Sequence, residues 1–134
     1  MRPGRHEVTT VVRWGVVIID FDPTVGHEQA GVRRALIVSH DPFLRSGMAT
    51  VCPISARVPR YPAEVAIPAG HAGQTLDAVI LCHQLRTIDL RRVSAFEVAG
   101  QHQVVTDPVI RSAVRVALAR QLGLDLPAGS DGAA

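Results

Sequence analysis

The tightest constraint in this chain is how soon every apolar run ends. Val16 to Phe21 is cut by Asp22-Pro23, and Ala35 to Ser39 by His40-Asp41-Pro42. Met48 to Ile54 carries Pro53 near its end, and Glu64 to Ile67 is closed by Pro68-Ala69-Gly70. Ala78 to Cys82 is followed or continued by Gln84 to Ile88, and Val93 to Val98 comes last. Runs of this length, rich in β-branched residues and bounded by turn formers, read as short strands. The stretches 24–31 and 56–62 hold glycine, proline and polar residues and read as exposed loops. Only one segment has a helical pattern. Asp107 is placed to cap it and Pro108 to open it. Apolar residues at Val109, Ile110, Ala113, Val114, Val116, Ala117, Leu118 and Leu122 form one broad face, and Gly123 ends it. The expected fold is mainly β: a small, strongly curved barrel with a C-terminal helix. Residues 1–12 read as a flexible tail, 13–124 as one domain, and 125–134 as a disordered tail, with no internal repeat.

At 134 residues, 47% apolar and 19% charged, the chain has the composition of one globular domain. No window approaches the ~18 uninterrupted apolar residues that a membrane span needs. The N-terminus has no apolar core of a signal peptide, so a cytoplasmic location is expected. Cys52 and Cys82 lie inside apolar stretches and read as small buried hydrophobes. The six histidines show no His-x-x-x-His pair, and there is no Cys-x-x-Cys, so neither a metal nor another cofactor is expected. A net charge of +2 does not by itself demand a nucleic-acid partner. All 14 basic residues are arginine, the side chain best suited to bidentate phosphate contacts.

Chemistry-bearing residues concentrate in the two loops. The first runs from Asp20 to Arg34 and carries His27, Glu28, Gln29 and Arg33; the second runs from Cys52 to Val65 and carries Ser55, Arg57 and Arg60. Brought together by neighbouring strands, they would supply a cationic clamp for a phosphate, a hydroxyl and proton-transfer groups. Each of them alone also fits a solvated loop residue, and both readings stand at this level.

The same residues carry a resemblance. Asp20-Phe21-Asp22-Pro23-Thr24, Gly26, Glu28-Gln29-Ala30-Gly31 and Arg33, then a strand ending in Ser39, look like the signature of the MazF/PemK toxins. Pro53-Ile54-Ser55, Tyr61-Pro62-x-Glu64-Val65 and Gln84-Leu85-Arg86-Thr87-Ile88-Asp89 continue the likeness across roughly 13–124. The resemblance implies an SH3-like barrel with a C-terminal helix, acting as a homodimer. It also implies a toxin that cuts single-stranded RNA, mainly mRNA, without a metal and is blocked by an extended acidic segment of a MazE-like antitoxin. Carried over by motif, the catalytic arginine falls on Arg33 and the catalytic hydroxyl on Ser55. Glu28 falls on a loop carboxylate that acts as base or orients Arg33. His83 stands where relatives have an aspartate proposed as general base. His27, Gln29, Arg34, Arg57, Arg60, Gln84 and Arg86 fall on the expected RNA-binding surface. The chain departs from the pattern at Trp14, Arg34, Ala56 and His83. Because CcdB toxins share this fold and poison gyrase, a binding module without RNA cleavage is the alternative.

Overall fold

The computed structural model describes residues 11–95 and 103–124. They form the strands β1 (Gly15–Asp20), β2 (Val32–Ile37), β3 (Met48–Ser55), β4 (Glu64–Ile67), β5 (Ala78–Leu81), β6 (Arg86–Asp89), β7 (Val93–Ala95) and β8 (Gln103–Val104). Helix α1 (Asp41–Leu44) is a single turn, and α2 (Pro108–Gln121) is the C-terminal helix. The strands make one antiparallel sheet in the order β4-β5-β3-β2-β1-β7. β3 pairs with β6 through its first half and with β5 through its last residues. β1 likewise serves both β7 and β8. Sharing one strand between two successive partners bends the sheet, which wraps as a half-barrel.

Most of the strands expected from sequence are present. β4 matches its expected bounds, while β2 starts three residues early, because Val32, Arg33 and Arg34 pair with Asp20, Ile19 and Ile18 of β1. β7 reaches Ala95, and the rest of the expected 93–98 strand lies outside the described residues, as do residues 1–10 of the expected 1–12 tail and the whole of the expected 125–134 tail. Val11, read as part of the tail, is instead buried in the core. The two-residue β8 leaves too short a pattern to be recognised in the sequence.

The central strands are apolar on both sides, and period-2 alternation divides them between two cores. Val16, Leu36, Cys52, Ile54, Ile67 and Ile80 point toward α2 and pack with Ile110, Val114 and Ala117. Val17, Ile19, Phe21, Ala35, Ile37, Val51 and Ile88 form the second core on the opposite face. α2 is placed by its ends as much as by its face. Asp107 accepts from the Val109 amide at 2.8 Å, and Gly123 takes the left-handed conformation (φ 67°) that ends the helix. The buried stripe is narrower than the sequence pattern: Val109 and Leu122 are exposed, since they lie off the line through Ile110, Val114 and Ala117.

The 56–62 loop is fastened by one carboxylate. The Glu64 side chain is fully enclosed and accepts two bonds from the Arg57 guanidinium. It also accepts from the backbone amides of Arg60 and Tyr61. The arginine and these amides hold the Glu64 carboxyl well below the usual carboxylate range, at about 2, against the opposing effect of burial. A depressed folded pKa stabilises the protein above the ordinary glutamate pKa, and that stability drains away as pH falls toward 2. Glu64→Gln is therefore expected to cost about 2–3 kcal/mol at pH 7. Acid denaturation followed by circular dichroism should show the wild-type advantage shrinking as the pH is lowered below the glutamate range. An advantage that does not change with pH would mean the pair is not what holds the loop.

Candidate active site

The first loop is built by its own polar side chains. The Asp22 carboxylate accepts from the Gly31 amide at 3.1 Å, and the Asp20 carboxylate from the Asp22 amide at 3.0 Å. The Phe21 amide donates to the Gly31 carbonyl at 3.0 Å, so both ends of the loop meet where β1 leaves off and β2 begins. Glu28 closes the tip: one carboxylate oxygen accepts from the Val25 amide at 2.6 Å. Arg92 reinforces the base by donating to the carbonyls of Asp20 and Asp22. This part of the motif therefore has a structural reason as well as a chemical one.

The loop is tied to the rest of the molecule by Gln84. Its side-chain oxygen accepts from the Gln29 amide at 3.1 Å, and its nitrogen donates to the His27 carbonyl at 3.0 Å. Gln84 belongs to the 3-10 turn Cys82–Gln84, whose middle residue, His83, meets Tyr61 of the second loop edge-on, ring centroids 5.7 Å apart. One short turn thus touches both loops. Between them lies a groove of about 470 Å³ lined by Phe21, Glu28, Gln29, Pro53, His83 and Gln84 among others. Nδ1 of His83 is buried and has no hydrogen-bond partner among the described residues, an uncommon state for a buried polar atom.

Arg33 stands on β2 on the exposed side. Its Nε donates to the Ala30 carbonyl at 2.8 Å. Turned so that its oxygen faces the guanidinium, the Gln29 amide accepts from Nη2 at 3.1 Å and Nη1 at 3.2 Å. Arg33 has no carboxylate partner among the described residues, so its positive charge is not neutralised. The β2–β3 register pairs Ala35 with Pro53. That pair is the last between the two strands, and Arg33 and Ser55 each lie two residues beyond it, on β2 and on β3. A guanidinium and a hydroxyl on neighbouring strands, beside a groove with a histidine, can neutralise a phosphoryl oxygen and donate to another.

The structure also separates residues that the sequence puts together. Adjacent strand residues point to opposite faces, so Arg34 goes to the α2 side while Arg33 does not. There Arg34 donates to the Gln74 side chain at 3.1 Å and to the Gly73 carbonyl at 3.3 Å. Arg57 is committed to Glu64. Arg86 donates to the Phe21 carbonyl at 2.9 Å and lies over its ring, so it holds a wall of the groove. His27 and Arg60 are exposed. Sequence reasoning passed over Glu64, Tyr61 and the Ala30 carbonyl as parts of the site. Only the Tyr61-Pro62-x-Glu64-Val65 string signalled the first two.

Comparison with known proteins agrees with this architecture. Endoribonuclease EndoA of Bacillus subtilis is 40% identical over 87 residues, which covers 63% of this chain and 75% of that protein. The endoribonuclease toxin ChpB of Escherichia coli is 33% identical over 103 residues, 74% of this chain and 88% of its own. A crystal structure of MazF from Deinococcus radiodurans superposes with a TM-score of 0.71 at 29% identity, covering 85% of this chain and 97% of that one. A mycobacterial endoribonuclease in complex with its cognate antitoxin shares the fold, with a TM-score of 0.67 at 19% identity, covering 88% of this chain and 100% of that one. Residues 12–120 match the family described as PemK-like, MazF-like toxin of type II toxin-antitoxin system. With that span and that half-barrel, the chain belongs to the PemK/MazF toxin family.

Proposed function

We propose that this chain is the toxin of a type II toxin–antitoxin system, an endoribonuclease that cuts single-stranded RNA, mainly mRNA, without a metal ion. The observation that carries this reading is Arg33, a cation without a carboxylate partner among the described residues, which lies two residues beyond the Ala35–Pro53 pair on β2 as Ser55 does on β3. In the proposed reaction the ribose 2′-OH attacks the adjacent phosphorus. The P–O5′ bond breaks, leaving a 2′,3′-cyclic phosphate and a 5′-OH. Arg33 neutralises the phosphoryl oxygens as negative charge builds on them, and the Ser55 hydroxyl donates to the same group. DNA lacks the attacking hydroxyl and is not a substrate.

His83 is the better-supported general base. Both it and Glu28 line the groove, but Glu28 has one oxygen engaged by the Val25 amide, whereas Nδ1 of His83 has no partner among the described residues. Glu28 then serves to shape the loop, and Gln29, rather than Glu28, orients Arg33. His27, Gln29 and Arg60 remain as RNA contacts, while Arg57, Gln84 and Arg86 act by holding the walls that the RNA meets. Arg34, on the other face, supports the 68–77 loop. The protein is proposed to work in the cytoplasm as a homodimer, and an acidic antitoxin segment to silence it by covering the cationic groove.

Three outcomes test this. Purified protein incubated with long single-stranded RNA in excess EDTA is expected to yield discrete fragments with 5′-OH ends, and Arg33→Ala to yield none while its circular dichroism stays native. RNA left intact by the wild-type protein would instead favour a binding module. Ser55→Ala is expected to slow cleavage by roughly 100- to 1000-fold, the range for losing one hydrogen-bond donor to a developing oxyanion. A rate equal to wild type would remove Ser55 from the chemistry. For His83→Ala, a general base predicts that the acid limb of the pH–rate profile disappears together with most of the rate. Survival of that limb would return the role to another group.

A further inference from the structure

The start of β1 carries a second cationic cluster that the RNA-cleaving reading does not use. Trp14, the sole tryptophan, is buried ahead of β1 with a left-handed backbone (φ 70°). Its amide donates to the Ile37 carbonyl at 2.7 Å, and its carbonyl accepts from the Val105 amide at 2.8 Å. Three guanidinium groups surround the indole: Arg13 at 5.1 Å, Arg111 at 5.3 Å and Arg115 at 5.6 Å from the ring centroid. Arg111 and Arg115 are four apart on α2 and share its face. None of the three is ion-paired to a carboxylate among the described residues. The nearby acids are otherwise engaged: Asp41 accepts from the Arg13 backbone amide and Asp107 from Val109. Arg13 and Arg111 each donate through Nε to a backbone carbonyl, of Val38 and Val105. Among the described residues nothing hydrogen-bonds to their outer nitrogens or to the Arg115 guanidinium.

From this geometry we propose that Arg13, Arg111 and Arg115 form an anion site for the phosphodiester backbone of a nucleic-acid strand, separate from the Arg33 site. The indole fixes three like charges at short range, and cation–π attraction offsets part of their repulsion. A phosphate removes the rest and accepts from guanidinium forks in a bidentate manner. Trp14 is buried and offers no face for base stacking, so binding here is read from the backbone alone and is indifferent to sequence. The patch is remote from the cleavage residues. Arg33 pairs with Ile19, five positions beyond Trp14 along β1, or roughly 17 Å of strand.

Trp14 makes the test direct, because tryptophan emission from this chain reports only on the patch. Single-stranded oligodeoxythymidine, which cannot be cut through a 2′-OH, is titrated while emission is followed at several salt concentrations. A saturable change is expected in the wild-type protein and equally in Arg33→Ala, so the result does not depend on cleavage. Arg115 is exposed and its side chain makes no hydrogen bond among the described residues, so Arg115→Glu is expected to fold. It should bind several-fold more weakly, with the slope of log affinity against log salt shallower by about 0.7 for one lost phosphate contact. Arg13→Gln is the second variant, with the same expected loss, and neither should alter cleavage of a short RNA confined to the Arg33 groove. Unchanged affinity and slope in both variants would overturn the proposal. So would an emission change produced by polyglutamate but not by oligodeoxythymidine, which would make the patch a docking point for an acidic protein.

Discussion

The candidate active site depends on the two hydrogen bonds of the Gln84 side chain. They join the turn after β5 to a loop 55 and 57 residues earlier in the chain. One amide group satisfies an orphan donor at Gln29 and an orphan acceptor at His27, so the loop tip is held at two points. Without that tie, the loop would be closed at its base by Asp22, Arg92 and the Phe21–Gly31 bond and at its tip by Glu28, with nothing joining it to the turn after β5 among the described residues. Each further link in the site runs through it: Gln29 reaches Arg33, and His83, next to Gln84, reaches Tyr61. The bond from the Gln29 amide gains from being partly buried, where competition with water is weaker and leaving either group unpaired is costly.

The sheet makes such a tie possible because β1, the second half of β2 and most of β3 are buried on both faces. A strand fixed between two cores cannot slip by one residue without turning every apolar side chain around. That rigidity carries over to the polar ends of the same strands. It sends Arg34 toward Gln74 and keeps Arg33 on the other face beside Ala30 and Gln29, a separation that follows from alternation alone. The same burial places two opposite treatments of arginine in one small protein. Arg57 is neutralised by an enclosed carboxylate, whereas Arg33 and the cluster around Trp14 keep their charge. A neutralised arginine holds a loop; a charged one is available to a phosphate.

Much of this could be read from the chain before its structure. Apolar runs bounded by proline, glycine and aspartate marked the main strands, because those residues stop a ladder by local geometry. Asp107-Pro108 and Gly123 marked the helix for the same local reason. The ordered motifs around Asp22, Arg33, Ser55 and Gln84 marked the family. The sequence did not reveal that β2 begins at Val32, because arginine has no strong strand preference and pairing with β1 decides the matter. Nor did it reveal β8, whose two residues are ordered only by their partner.

By itself, then, the sequence determined the local punctuation, the mainly β class with its final helix, and the set of residues from which a site can be made. Only the tertiary structure decided which of those residues meet. It took Arg57 out of the free cations, directed Arg34 to the other face and gave Gln84 a positioning part. It also gathered Arg13, Arg111 and Arg115 around Trp14 across about 100 residues of sequence. The reason is physical: turn and cap preferences act over a few neighbouring residues, whereas charge neutralisation, orphan hydrogen bonds and ring contacts depend on groups that folding alone brings together.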